Sequence, residues 1–327
     1  MSYNIQQQDY IRTNPEYSAV WRNLFKDHTT QRNIIWATND YNELGFSFYD
    51  EIQPEQLLLP SGEQIIKPRA AKARDLQLQR TRDKAEVFTP SWICNVQNNL
   101  VDEAWFGRPN VFNTPIDNDH HWITNTDPIQ FPEGKTWRDY VRAIRLEICC
   151  GEAPYLASVY DTTTGDYIPL NDRIGIIDRK LRIINENVHT STEWLDWAQI
   201  AYKSTYAFEF QGDSLLTARE MLLYTFLQYF REKFGREPLM RSIDYIAYII
   251  SWNVWQMDGL KMVIPGSCER NAQPITDLFG DILEQAECPA CKSGEMYGHI
   301  GTKCLIRDWR IKDREKQKIP FVQLIKK

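Results

Sequence analysis

Apolar residues at 215, 216, 218, 222, 223, 226, 227 and 230 recur with the three-to-four-residue period of an amphipathic helix, which Gly235 and Pro238 would stop. Upstream, residues 144–150 and 205–210 are short apolar runs of the length and composition of strands, and 144–150 reads as a buried one. Helical patterns fill the interval between them, around 174–184 and 194–202. A further helix at about 243–250 leads into a third strand-like run, 253–257. Strand, helix, strand, helix, strand is the order of a parallel α/β sheet, in which crossovers bring ligands to the carboxyl ends of the strands.

The texture changes at two places along the chain. Residues 1–85 mix aromatic helical stretches such as 17–25 with a turn at Pro60-Ser-Gly62, and close in a basic segment whose Ala, Lys, Arg and Leu content suits a helix. Residues 86–265 carry the alternating strand and helix pattern. Residues 266–327, rich in Cys, Gly, Lys and Pro, read as a small separate unit.

Hydrophobic residues make up 43% and aromatics 13% of the 327 residues, and no apolar run approaches the roughly 20 residues that cross a bilayer. We therefore expect a soluble protein without a membrane partner. The opening stretch MSYNIQQQDYIRTN lacks the basic start and apolar block of an export signal, so the expected location is cytoplasmic. A net charge of −6 does not favour nucleic-acid binding over the whole surface, but basic clusters exist locally. Lys67, Arg69, Lys72, Arg74, Arg80, Arg82 and Lys84 face only Asp75 and Asp83, and the tail after Lys303 is also basic; both read equally as solvated faces.

Seven cysteines, an odd number, argue for reduced thiols or metal ligation over a disulfide framework. Cys288-Pro-Ala-Cys291, followed by His299 and Cys304, has the spacing Cys-x2-Cys-x7-His-x4-Cys. Three thiolates and one imidazole would fill a tetrahedral structural zinc site and leave no open position for catalysis. The alternative is two thiol pairs in a loop. His120 and His121, adjacent in a loop with Asp117 and Asp119, point to different sides and are read as solvated.

Four short segments occur in a fixed order: Val87-Phe88-Thr89-Pro90; Leu146-Glu-Ile-Cys-Cys-Gly-Glu-Ala-Pro-Tyr-Leu156; Tyr206-Ala-Phe-Glu-Phe210 with the helix after it; and Asn253-Val-Trp-Gln-Met-Asp-Gly-Leu260. This order resembles the adenine-specific DNA methyltransferases, in particular the M subunits of restriction-modification systems, over about half the chain. The resemblance implies a Rossmann-like S-adenosylmethionine-dependent methyltransferase core, with a mostly helical N-terminal region and the small Cys-rich C-terminal unit as appendages. It also implies a cofactor-binding set: Phe88 and Thr89 on the methionine end, Glu147 ordering the glycine turn, Gly151 allowing close backbone approach, Glu209 accepting the ribose hydroxyls, and Asp258 facing the adenine amino group. Ala153 stands where that family usually has a second glycine.

Each residue also has a plainer reading. Glu147 serves as a buried carboxylate satisfied by backbone, Glu209 as an acid beside a helix N-terminus, Asp258 as a turn former in Met-Asp-Gly, and Thr89-Pro90 as a helix start. Arg219 and Glu220 read as surface pairs on the long helix. The Asn/Asp-Pro-Pro-Tyr/Phe loop that the family places after the third strand occurs nowhere in the chain; the nearest string, Asn14-Pro-Glu-Tyr17, reads as a turn opening the first helix. The expectation is accordingly a cofactor-binding subunit of a DNA-defence system with DNA as partner, inactive alone and completed by a second protein subunit that supplies the catalytic loop or target recognition. The alternative is a non-catalytic DNA-binding or assembly subunit that retains the fold.

Overall fold

The computed structural model describes residue 12 and residues 15–59, 61, 63–84, 86–116, 120–273, 275–276, 282–284 and 287–325. It is a mixed α/β structure. At its centre lies a parallel three-stranded sheet of β3 (Arg145–Glu147), β4 (Thr205–Glu209) and β5 (Val254–Gln256), in that spatial order. Leu146 pairs with Tyr206, and Phe208 with Trp255. Helices α5 (Ile176–Asn187) and α6 (Ser191–Lys203) connect the first two strands, and α7 (Gly212–Phe234) and α8 (Met240–Asn253) the last two. These elements lie where the hydrophobic pattern puts them. A short 3-10 turn, Pro15–Tyr17, leads into α1 (Ser18–Phe25); the basic segment forms α2 (Arg74–Lys84), and α3 (Ser91–Phe106) follows Pro90.

Further elements are short. A hairpin of β1 (Asn113–Ile116) and β2 (His121–Thr124) precedes α4 (Trp137–Arg142), whose start is fixed by a reciprocal Thr136–Asp139 capping box. After β5 come α9 (Ser267–Asn271), the strand pieces β6 (Ile275–Thr276) and β7 (Ile282–Glu284), and α10 (Pro289–Ser293). The hairpin β8 (Leu305–Arg307) and β9 (Lys318–Pro320) and a final turn, α11 (Val322–Ile325), complete the order. Asn14, Pro60, Gly62, Asp117 and Asp119, all singled out above, lie outside the described residues. No described helix is long and apolar enough to cross a membrane.

The two faces of the sheet are covered differently, because side chains alternate along a strand. Ala207 and Val254 face the main core with Leu216, Phe226 and Ile250, and that core also takes in Leu24, Trp36 and Ile52 of the N-terminal region. Phe208 and Trp255 face a second cluster, completed by Cys304, Ile306 and Phe321 of the C-terminal segment. The run 144–150 is not the buried strand expected. Among the described residues strand β3 is an edge with β4 as its one neighbour, and Leu146 and Ile148 are exposed.

Two other expectations are corrected. Arg219 and Glu220 are buried, not surface residues, because α7 is enclosed along most of its length. Arg219 donates to the carbonyls of Val254, Leu24, Lys26 and Ser251, knitting α1 to the end of α8. Glu220 accepts from Arg12 at 2.6 Å and from the indole N–H of Trp21. Nor are Lys72 and Arg80 solvated or free for phosphates; both are buried against Asp213 at the start of α7. Lys72 Nζ lies 3.0 Å and Arg80 Nη1 2.9 Å from Asp213 Oδ2, and Arg80 also bonds Asp40, Glu86 and Gln211. Tyr41 donates its hydroxyl to the same carboxylate at 2.8 Å.

Burial alone would raise the Asp213 pKa, yet Lys72 and Arg80 overcome it and hold the carboxyl well below the usual carboxylate range. A depressed folded-state pKa contributes stability above the unfolded-state value, and that contribution is lost as pH falls through the folded value. Asp213→Asn should therefore cost about 3–5 kcal/mol at neutral pH, the range for breaking a buried ion pair from one side. Urea unfolding at neutral and acid pH measures this. A loss under about 1 kcal/mol would show the network to be dispensable.

Candidate functional site

The carboxyl ends of the three parallel strands open into a cavity of about 730 Å³. Phe88, Thr89, Glu147, Gly151, Glu209 and Asp258, drawn from four separate stretches of sequence, all line it. Its floor is a turn, residues 148–153, in which Cys149, Gly151 and Ala153 all take positive φ. At Gly151 (φ +55°) the Phe88 ring lies 3.2 Å from where a Cβ would stand, so the absence of a side chain lets Phe88 seal the turn. Ala153 adopts the same left-handed conformation at φ +60°, which an alanine tolerates at a cost of about 1 kcal/mol.

Glu209 holds this arrangement together. Its Oε2 accepts the backbone N–H of Gly151 at 2.8 Å and its Oε1 that of Gln211 at 3.1 Å. Burial raises its pKa, against the opposing pull of the Gln211, Gly151 and Phe210 N–H groups. A carboxylate has about four lone-pair directions in all, so these three N–H groups leave acceptor capacity on Glu209 unused. Ordering of the glycine turn, assigned to Glu147 by resemblance, is thus shared: Glu209 takes the Gly151 amide, while Glu147 faces the backbone of Tyr155. Asp258 lines the cavity and is also the turn former. Its Oδ1 accepts the N–H groups of Leu260 and Lys261, both at 3.1 Å, and its Oδ2 lies 3.6 Å from Lys261 Nζ.

Three buried polar atoms on residues lining this cavity have no hydrogen-bond partner among the described residues: Glu147 Oε2, Glu86 Oε1 and Ser214 Oγ. Buried polar atoms are ordinarily satisfied, so these three are open to hydrogen bonds from a polar ligand or water in the cavity. Glu86, Gln211 and Ser214 were not anticipated from sequence. Ser214 sits in the first turn of α7 and follows Glu209 closely enough that its place beside the strand end was readable in principle. Glu86 adjoins the Phe-Thr-Pro segment and is turned inward by Arg80, a contact without a local signature.

A second constellation lies in the C-terminal segment. Cys268, Cys288, Cys291 and His299 form a Cys3His cluster whose ligand atoms all lie within 4.8 Å of one another, and it can bind a metal such as zinc. His299 Nδ1 is 3.7 Å from Cys288 Sγ and 3.5 Å from Cys291 Sγ, against roughly 3.6 Å between a nitrogen and a sulfur ligand on a tetrahedral zinc with bonds of about 2.05 and 2.3 Å. Burial would push the Cys288 thiol up, but the N–H groups of Ile300 and Cys291 and the His299 ring hold it at about 6. Cys304 is not the fourth member. It starts the C-terminal hairpin with its side chain turned into the apolar cluster of Phe208 and Trp255, 3.4 Å from the Gln256 carbonyl, and burial raises its pKa well above the usual range. Cys268, in the first turn of α9, takes that place; its distance in sequence from Cys288 hid it. His120 stacks on Trp92 at 4.3 Å between ring centroids.

No protein-family model, no curated protein and no solved structure matches the chain.

Two outcomes follow from these geometries. Burial raises the Glu147 pKa well above its ordinary value, with Glu209 adding to the effect. A raised carboxylate gives stability that is complete below the unfolded value, about 4.3, and is lost as pH rises through the folded value. Glu147→Gln should match the native chain near pH 4 and exceed it by about 1–3 kcal/mol at pH 7, the cost of an unsatisfied buried group. Chemical unfolding at the two pH values reads the difference, and a Gln variant destabilised at pH 7 would contradict it. For the second constellation, elemental analysis of the purified chain should show metal lost in Cys268→Ser and retained in Cys304→Ser; the reverse pattern would restore Cys304 as a ligand.

Proposed function

We propose that the chain is an S-adenosylmethionine-binding, DNA adenine methyltransferase-like subunit of a restriction-modification or related DNA-defence system. The observation that carries this reading is the convergence of Phe88, Thr89, Glu147, Gly151, Glu209 and Asp258 on one cavity at the carboxyl ends of parallel strands. A ligand of nucleoside character suits the donor and acceptor set. The remaining acceptor capacity of Glu209 suits a diol, the Phe88 ring and Gly151 backbone suit an apolar methionyl chain, and the unpartnered atoms of Glu147 and Ser214 suit its charged and polar groups.

The reaction this cofactor supplies is methyl transfer, and for an adenine amino group it needs positioning and an acceptor for the departing proton more than covalent catalysis. Here β5 runs into Asp258-Gly-Leu260, a tight turn closed by the Asp258 carboxylate, where the resembling family carries its catalytic loop. On this reading the chain binds cofactor and relies on a partner chain for the groups that would grip the flipped base. A structural zinc on Cys268, Cys288, Cys291 and His299 stiffens the segment after this turn, since Ile264 and Ser267 bond to Thr302 across it.

Titration calorimetry with S-adenosylmethionine should give micromolar binding, weakened at least about tenfold by Glu209→Gln, which keeps the shape and removes the charge. The chain alone should transfer no labelled methyl group to DNA. Absence of cofactor binding by a chain with native circular dichroism would overturn the cofactor reading, and methylation by the isolated chain would overturn the reliance on a partner.

A further inference from the structure

Around Lys203, at the amino end of β4, two adjoining hollows of about 550 and 340 Å³ share Lys203 and Trp309 as walls. They lie at the opposite end of the sheet from the cavity of Glu209, since Lys203 and Ser204 come just before β4 and Glu209 ends it. Cations and aromatic rings alternate here. Lys203 Nζ stands 4.9 Å from the Tyr245 ring centroid and 5.4 Å from that of Trp309. The Arg307 guanidinium stands 4.4 Å from the Trp309 ring and bonds Tyr248 and Gln317. Arg142 and Arg310 line the smaller hollow and Arg314 the larger.

The lining is mainly cationic, although Arg310 is paired by two hydrogen bonds with Asp308, which lies outside the lining. Among the described lining residues Asp244 is the single acid, and it accepts a hydrogen bond from Asn23 at 2.7 Å. Lys203 and Arg314, unlike Arg310, have no carboxylate ion-pair partner among the described residues, in a chain whose net charge is −6. Trp309 is fixed at its edge by donation from Nε1 to Asn253 Oδ1 at 2.7 Å, so its ring is a rigid surface shared by the two hollows.

The geometry points to this trough as a binding site for single-stranded nucleic acid. Lys203 and Arg314 meet successive phosphates, and a base stacks against Trp309 where the two hollows join. Rings interleaved with cations serve this ligand in general: any base offers a face to stack, and the cations track the backbone. An acidic peptide would use the cations alone, and a duplex hides the faces of its bases. The inference does not depend on the cofactor reading of the other cavity, and its test involves no cofactor.

The experiment is fluorescence anisotropy of a short labelled oligothymidylate with the full chain, over a range of salt. Binding should weaken with salt at a slope near that of about two released counterions. Lys203→Glu with Arg314→Glu should weaken it at least about tenfold and flatten the slope. Trp309→Ala should weaken it about tenfold, in the range of a lost base stack, and Trp309→Phe should restore most of the loss. A folded chain that fails to bind at low salt, or binding unchanged in both the charge and the ring variants, overturns the site. Equal competition by heparin with no effect of Trp309→Ala overturns it too, by reducing the trough to a general polyanion surface.

Discussion

Glu209 sits buried at the end of the central strand and accepts backbone N–H groups from two different segments, the Gly151 turn behind β3 and Gln211 at the head of α7. That double bond sets the shape of the cavity. It draws the turn after one strand toward the helix after the next, so that Phe88 can close over Gly151 and the first turn of α7 can present Ser214. The carboxylate is expensive to bury, and burial shows in its raised pKa; the backbone N–H groups offset the cost without consuming all of its acceptor capacity.

The surrounding structure supports the same point. Just behind Glu209, Asp213 anchors Lys72 and Arg80, so the basic segment that precedes the Phe-Thr-Pro turn is fastened to the base of α7. Gly212 is passed so closely by the Ile35 carbonyl that a Cβ would stand 2.1 Å from it, which fixes the N-terminal region against the same helix. Gln256 then bonds the Ile35 backbone on both sides, 2.9 Å from its N–H and 2.8 Å from its carbonyl, lengthening the sheet by a side-chain bridge. The cavity is thus framed by segments far apart in sequence and held by buried polar contacts as well as by apolar packing.

The periodic elements were legible because their signals are local. The three strands, the four helices between them and the Gly235 stop follow from apolar spacing and helix-ending chemistry. The six cavity residues were legible through the family resemblance, and for Glu147, Glu209 and Asp258 also because a parallel sheet brings the ends of its strands to one edge. What stayed hidden depends on distant partners. Leu146 and Ile148 look like core residues, yet among the described residues β3 has a neighbour on one side alone. Lys72, Arg80, Arg219 and Glu220 look like surface charges, and each is buried by a counterpart more than a hundred residues away in sequence. Cys268 and Cys304 exchanged places for the same reason, since spacing fixes which thiols are near in sequence and not which way they face.

The central claim is that the three strand ends form one ligand-binding crevice. Hydrogen–deuterium exchange with and without S-adenosylmethionine tests it directly. The account predicts that added protection is confined to residues 86–90, 147–156, 209–214 and 256–260, with the Gly151 amide among the most slowed. Protection falling elsewhere, or none at saturating cofactor, would contradict it.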